Sequence, residues 1–184
     1  MCVKIANDLY FIEINGSDHT LESTDNKPCD VIFNPFEFSR RDHCSSTEII
    51  IDNSVDVCRC MLISERNYAD NSGILKGDTL LVLAGKHVFK ISLDKICIEQ
   101  IIPIEAWFPI YYSLMEYSGG YVVIGELSVI QYDFDFNKLS EFQTRDVVMS
   151  WDLSDDTLCV KDLNDEQYTF NLSLCSHGGQ NNVI

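Results

Sequence analysis

The chain reads as all-β, an antiparallel meander of hairpins. Three observations predict it. Apolar and polar residues alternate with a period of two through most of the sequence, the mark of strands with one face covered and one wet. Short clusters of Gly, Asn, Asp and Ser punctuate these runs, which is turn chemistry. No segment of twelve or more residues carries helical periodicity.

The elements follow in order. Val3–Ile5 and Leu9–Ile14 flank the turn-prone pair Asn7-Asp8 and predict a hairpin with Tyr10, Ile12 and Ile14 on one face. Residues 15–47 are rich in Asn, Asp, Ser and Thr and read as a long surface loop pinned by Phe33, Phe36 and Phe38. Strands resume at Glu48–Ile51 and Val55–Ile63. Residues 64–73 read as a turn or linker. Thr79–Leu83, Val88–Leu93, Ile96–Ile104 and Tyr111–Tyr117 are the next strands, with Pro103 and Pro109 bracketing an aromatic segment. In Val129–Phe136, Ile130, Tyr132, Phe134 and Phe136 share the side expected to be buried. Val129, Gln131, Asp133 and Asp135 share the side expected to be wet. Val147, Met149, Trp151 and Leu153 repeat the alternation, as do Tyr168, Phe170 and Leu172. The whole is expected to be one domain, 1–184, with a possible subdivision into 1–70 and 74–174.

Residues 77–95, 119–138 and 155–173 align with one another. Each is a turn, an apolar strand, a short connector and an alternating strand, and the starts lie about 36–42 residues apart. These hairpins resemble β-propeller blades, although no WD dipeptide or kelch glycine pair is present. The resemblance implies a small or incomplete propeller. A β-sandwich or curled meander satisfies the same alternation.

The charge is far from balanced. Thirteen Lys+Arg face 29 Asp+Glu, a formal −16. A field of that sign repels nucleic acid and anionic membrane and attracts basic partners. The N-terminus lacks the pattern of a signal peptide, and no run is long and apolar enough to span a bilayer, so a cytoplasmic protein is expected. Eight cysteines are then expected to be reduced packing residues, several of them inside strand-like runs.

No constellation for catalysis stands out. His43, Cys44, Cys58 and Cys60 form a possible zinc set and hence an alternative reading as a metal-binding enzyme, but their spacing is not that of a zinc knuckle. Asp133-x-Asp135-x-Asn137 begins like a calcium loop and then places Lys138 and Thr144 where Gly and Glu are needed. Neither a nucleophile elbow nor a phosphate loop occurs. Arg40-Arg41 is the only basic pair, which disfavours nucleic-acid binding. The reading is a non-enzyme without cofactors.

Size, charge, absent motifs and the runs DFDFNKLSE, DLSDDT and KDLNDE together resemble the immunity proteins of bacterial toxin systems, including those of contact-dependent growth inhibition. The resemblance implies a tight complex with one cognate basic toxin, expected to be a nuclease, with carboxylates standing where phosphates would bind. The candidate partner-binding residues are Asp133, Asp135, Asp152, Asp155, Asp156, Asp162, Asp165, Glu166 and Glu105. Trp107, Phe108, Tyr111 and Tyr112 are the candidate apolar anchors. The alternative is a propeller-like scaffold that binds a peptide at an open sheet edge.

Overall fold

The computed structural model describes residues 2–17, 28–39, 42, 44–65, 72–105 and 110–173. The chain forms two compact units, Met1–Ile104 and Glu105–Ile184. The subdivision drawn near residue 70 therefore falls inside the first unit. The reason is packing: the strands on either side of that connector share one core.

In the first unit, β1 (Cys2–Ala6), β2 (Phe11–Ser17), β4 (Ser45–Asp52) and β5 (Val57–Ser64) form an antiparallel meander. β3 (Val31–Phe33) adds to its edge, parallel to β5. The expected surface loop thus contributes a strand. Its three apolar residues show no period of their own, and their pairing partner lies far along the chain. Asp30 locks the edge, donating its N–H to the Arg59 carbonyl and accepting the Arg59 N–H at 2.8 Å. A second sheet runs β6 (Gly73–Lys76), β7 (Thr79–Ala84), β8 (His87–Ser92) and β9 (Cys97–Pro103) in simple order. Ile12, Ile14, Ile49, Ile51, Cys60 and Leu62 from the first sheet join Leu80, Val82, Phe89 and Ile91 from the second in one buried cluster.

In the second unit, β10 (Tyr111–Tyr117), β11 (Gly120–Gly125), β12 (Ser128–Tyr132) and β13 (Lys138–Gln143) form a four-stranded meander. β14 (Val148–Ser154), β15 (Thr157–Asp162) and β16 (Gln167–Asn171) form a three-stranded one. Val122, Ile124 and Val129 pack with Leu158, Val160, Tyr168 and Phe170 to fill the core between the two sheets. The three aligned hairpins are β7–β8, β11–β12 and β15–β16, in each case consecutive strands of one sheet. No α-helix occurs among the described residues, and no helix is long and apolar enough to cross a membrane.

Two expectations about faces are corrected. β12 is buried along its whole length, so Val129 and Gln131 are covered rather than wet. Both faces of this strand are packed, and Gln131 meets that burial by full hydrogen bonding. Its Nε2 donates to Tyr117 Oη and to the Leu172 carbonyl, both at 2.8 Å, and its Oε1 accepts from Ser140 Oγ. The strand also ends at Tyr132, and Phe134 stands 47% exposed in the following turn. In β14 the register shifts between Val148 and Ser150. That single extra residue turns Met149 outward, 58% exposed, while Val148 enters the core.

Candidate interaction surface

The second unit carries most of the imbalance. Thirteen carboxylate side chains and three basic ones lie between residues 105 and 184, a formal −10. All three cations are committed within the unit. Lys138 pairs with Glu141 at 2.6 Å, Arg145 with Glu166 at 3.2 Å and Lys161 with Asp165 at 2.7 Å.

Several of the predicted partner-binding aspartates prove to be turn anchors. Asp133 closes the β12–β13 turn, accepting N–H bonds from Asp135 and Asn137 at Oδ1 and the Asn137 amide at Oδ2. These bonds, the Asn137 side chain first, hold its carboxyl below the usual range. Asp162 does the same between β15 and β16, accepting from Asn164 and Glu166 at Oδ1 and from Tyr168 Oη at Oδ2. It is buried, 2% exposed, in contrast to the wet position expected of it. Position four of each turn has positive φ, 61° at Phe136 and 62° at Asp165. Asp155 and Asp156 form the two-residue β14–β15 turn with φ of 46° and 60°, the primed geometry that fits strand twist. Asp156 accepts the Ser118 N–H and hydroxyl and the Ser173 hydroxyl. Those bonds, led by the Ser118 hydroxyl, lower its pKa. The charge is local chemistry here: an Asp side chain supplies the acceptor that a tight turn lacks.

What remains at the surface is a smaller set. Asp135, Asp152 and Asp155 are exposed. Asp165 and Glu166 are exposed but ion-paired. Lys161 beside Asp165 holds that carboxyl below its ordinary value. Glu105 is exposed, and its carbonyl accepts from Lys138 Nζ at 3.2 Å.

The aromatic candidates divide. Tyr111 is buried, 1% exposed. Trp107 and Phe108 lie outside the described residues. Tyr112 sits at the β10 bulge, half-buried, its ring stacked on Trp151 of β14 at 6.0 Å between centroids and 8° between planes. Burial raises its phenol, and the Glu126 carboxylate adds to the rise. Glu126 is placed by its backbone. Its N–H donates to the Ile110 carbonyl and its carbonyl accepts the Val148 N–H, both at 2.8 Å. It thereby stands between the two strands that hold the ring pair. Trp151 reads in the sequence as a position of an alternating strand, and Glu126 carries no reading of its own within the 119–138 repeat. Only the bulge at Tyr112 and the packing of two sheets bring them together.

In the first unit, the Cys58 and Cys60 sulfurs lie 3.7 Å apart on one face of β5. Burial, then the contact with Cys58, pushes the Cys60 thiol up to about 12. Cys44 is buried among Met61 and Ile63, and His43 lies outside the described residues. Among the described residues no group of three or more His, Cys, Asp or Glu is placed to hold a metal ion.

No protein family and no curated protein matches the chain. Solved structures do. The WD40 domain of Neurospora crassa Pan2 is similar at 13% identity and a TM-score of 0.52, over 75% of this chain and 48% of that one. HIRA(644-1017) is similar at 10% identity and a TM-score of 0.48, over 96% of this chain and 53% of that one. BBS1N, solved in complex with ARL6DN, is similar at 14% and 0.48, over 70% and 47%. The chain spans about half the length of each. The Pan2 likeness shows the fold: these sheets are the blades of a propeller-type architecture, and fold alone does not assign function.

Proposed function

We propose that this chain is a propeller-type protein-interaction module whose second unit binds a cationic segment of a protein partner. One observation carries the reading. The unit from residue 105 onward has a formal −10, and its only three cations are already ion-paired. Exposed Asp135, Asp152 and Asp155 supply the long-range field. Their field steers a basic partner toward the surface and disfavours polyanions. Blade-like sheets supply rigid backbone on which such groups keep their positions. The finer form of the reading is neutralisation of a basic toxin that handles RNA or DNA, since a surface of this charge competes for the same cationic groove.

The test is a partner isolated from the native source at low salt, followed by association kinetics. Replacing Asp135, Asp152 and Asp155 together by Asn is expected to slow association by roughly threefold to tenfold at low ionic strength, with the effect vanishing at high salt. Identical rates for both proteins at every salt concentration, or a partner without a basic face, sink the proposal. A partner whose nuclease activity persists in the complex sinks the toxin form alone.

A further inference from the structure

The Tyr112–Trp151 pair is the feature that the charge argument leaves unexplained. Two large aromatic rings stack between the first strands of neighbouring sheets of the second unit, both only half-buried. Glu126 is pinned by its backbone to Ile110, two residues before Tyr112, and to Val148, three before Trp151. Its carboxylate is near enough to Tyr112 to help raise that phenol, with no cation or hydrogen-bond donor on it among the described residues. Every cation that the unit owns is engaged by another carboxylate. Aromatic faces attract a cation through their quadrupole, best at Trp. An uncompensated carboxylate next to them adds a directed, charge-assisted acceptor. A guanidinium satisfies both requirements at once, because it is planar, stacks on rings and forks onto a carboxylate. An ammonium is a compact, strongly hydrated point charge that does only the second well.

We infer that Tyr112, Trp151 and Glu126 form an arginine-anchoring site, in which a partner's guanidinium lies against the aromatic pair and donates to the Glu126 carboxylate. The inference rests on the reading of the second unit as a surface for a cationic protein, and it names the side chain that the surface selects. Met149, turned outward on the same strand, offers apolar contact for the methylene stem of that arginine. The acidic groups at Asp135, Asp152 and Asp155 then act at a distance, on the rate of encounter, while the anchor acts on dissociation.

The test uses the full chain and a short peptide of alternating arginine and serine, with a matched peptide in which citrulline replaces arginine. Citrulline keeps the shape and removes the charge. Binding is followed by the Trp151 indole N–H signal in NMR, assigned with Trp151→Phe. The arginine peptide is expected to shift that signal and the citrulline peptide to leave it in place. Glu126→Gln is expected to weaken arginine-peptide binding roughly fivefold to tenfold, and Tyr112→Leu roughly threefold to fivefold. Exchanging arginine for lysine in the peptide is expected to weaken it about as much as Tyr112→Leu does. Among the described residues the Glu126 carboxylate makes no hydrogen bond, so Glu126→Gln is expected to keep the wild-type unfolding midpoint, which serves as the control. If the arginine peptide binds but Glu126→Gln and Tyr112→Leu bind it as tightly as the wild type, the anchor is refuted and the cationic-partner reading stands. If neither arginine nor lysine peptides bind at low salt, both fall.

Discussion

Asp162 offers the sharpest test of the idea that much of this chain's acidity is turn chemistry. Its Oδ1 accepts the Asn164 and Glu166 N–H groups, each at 3.0 Å, and its Oδ2 accepts the Tyr168 hydroxyl at 2.9 Å. The residue is 2% exposed. Replacing it by Ala strands three donors. Hydrogen bonds to a charged acceptor contribute roughly 1.5–3 kcal/mol each. Asn164 and Glu166 are exposed, so water recovers part of two of them, and Tyr168 Oη can turn to Glu166 Oε2 at 2.9 Å. The expected loss is about 2–4 kcal/mol, a large share of the roughly 5–15 kcal/mol that holds a domain together. Asp162→Asn keeps an oxygen for both N–H groups and forfeits only the Tyr168 acceptor, so its expected cost is about 1 kcal/mol. Urea denaturation followed by circular dichroism reads both as shifts in midpoint at constant slope. The reasoning fails if Ala costs no more than about 0.5 kcal/mol, the level of an indifferent surface change. It fails equally if Asn costs as much as Ala.

Two further outcomes are expected. Gly120→Ala is expected to destabilise by more than about 3 kcal/mol in the same assay, because backbone shifts are needed to relieve an added methyl; a Cβ there would overlap the Tyr132 carbonyl oxygen and come within 2.8 Å of Asp133 Cα at a φ of +154°. Stability is also expected to fall as pH rises from about 10 toward 12. Burial, joined by the Asp162 and Glu166 contacts, pushes the Tyr168 phenol up to about 12, and burial raises that of Tyr132 further. A raised pKa means that the unfolded state ionises first, so the contribution is intact below pH 10 and is lost as pH climbs through the folded value. Tyr168→Phe flattens that decline by at most about 1.4 kcal/mol per pH unit, and an unchanged slope counts against it.

The strand pattern was largely legible in the residues. Hairpins at Val3–Ile14, Glu48–Ile63 and Thr79–Leu93 could be read from alternation and turn pairs, and each stands in the fold. So could the blade-like repeat. What failed was the choice of face. Gln131 and Asp133 follow one another at strand spacing. One is buried in a hydrogen-bond network and the other caps a turn, because alternation separates sides without saying what covers each. Met149 failed for another reason: a one-residue bulge between Val148 and Ser150 takes it out of the alternation. The site was half visible. Tyr112 belonged to an aromatic cluster in the sequence, while Glu126 and Trp151, fourteen and thirty-nine positions away, carried no signal that tied them to it.

By itself the sequence determined an acidic, all-β chain built from repeated hairpins, since charge, period and turn composition are local properties. The tertiary structure alone decided which carboxylates are spent inside turns and which remain exposed. It alone stacked Tyr112 on Trp151 near Glu126, whose carboxylate has no ion pair or hydrogen bond among the described residues. The physical reason is that hydrogen-bond satisfaction and sheet-to-sheet contact depend on neighbours distant along the chain, which no window of residues contains.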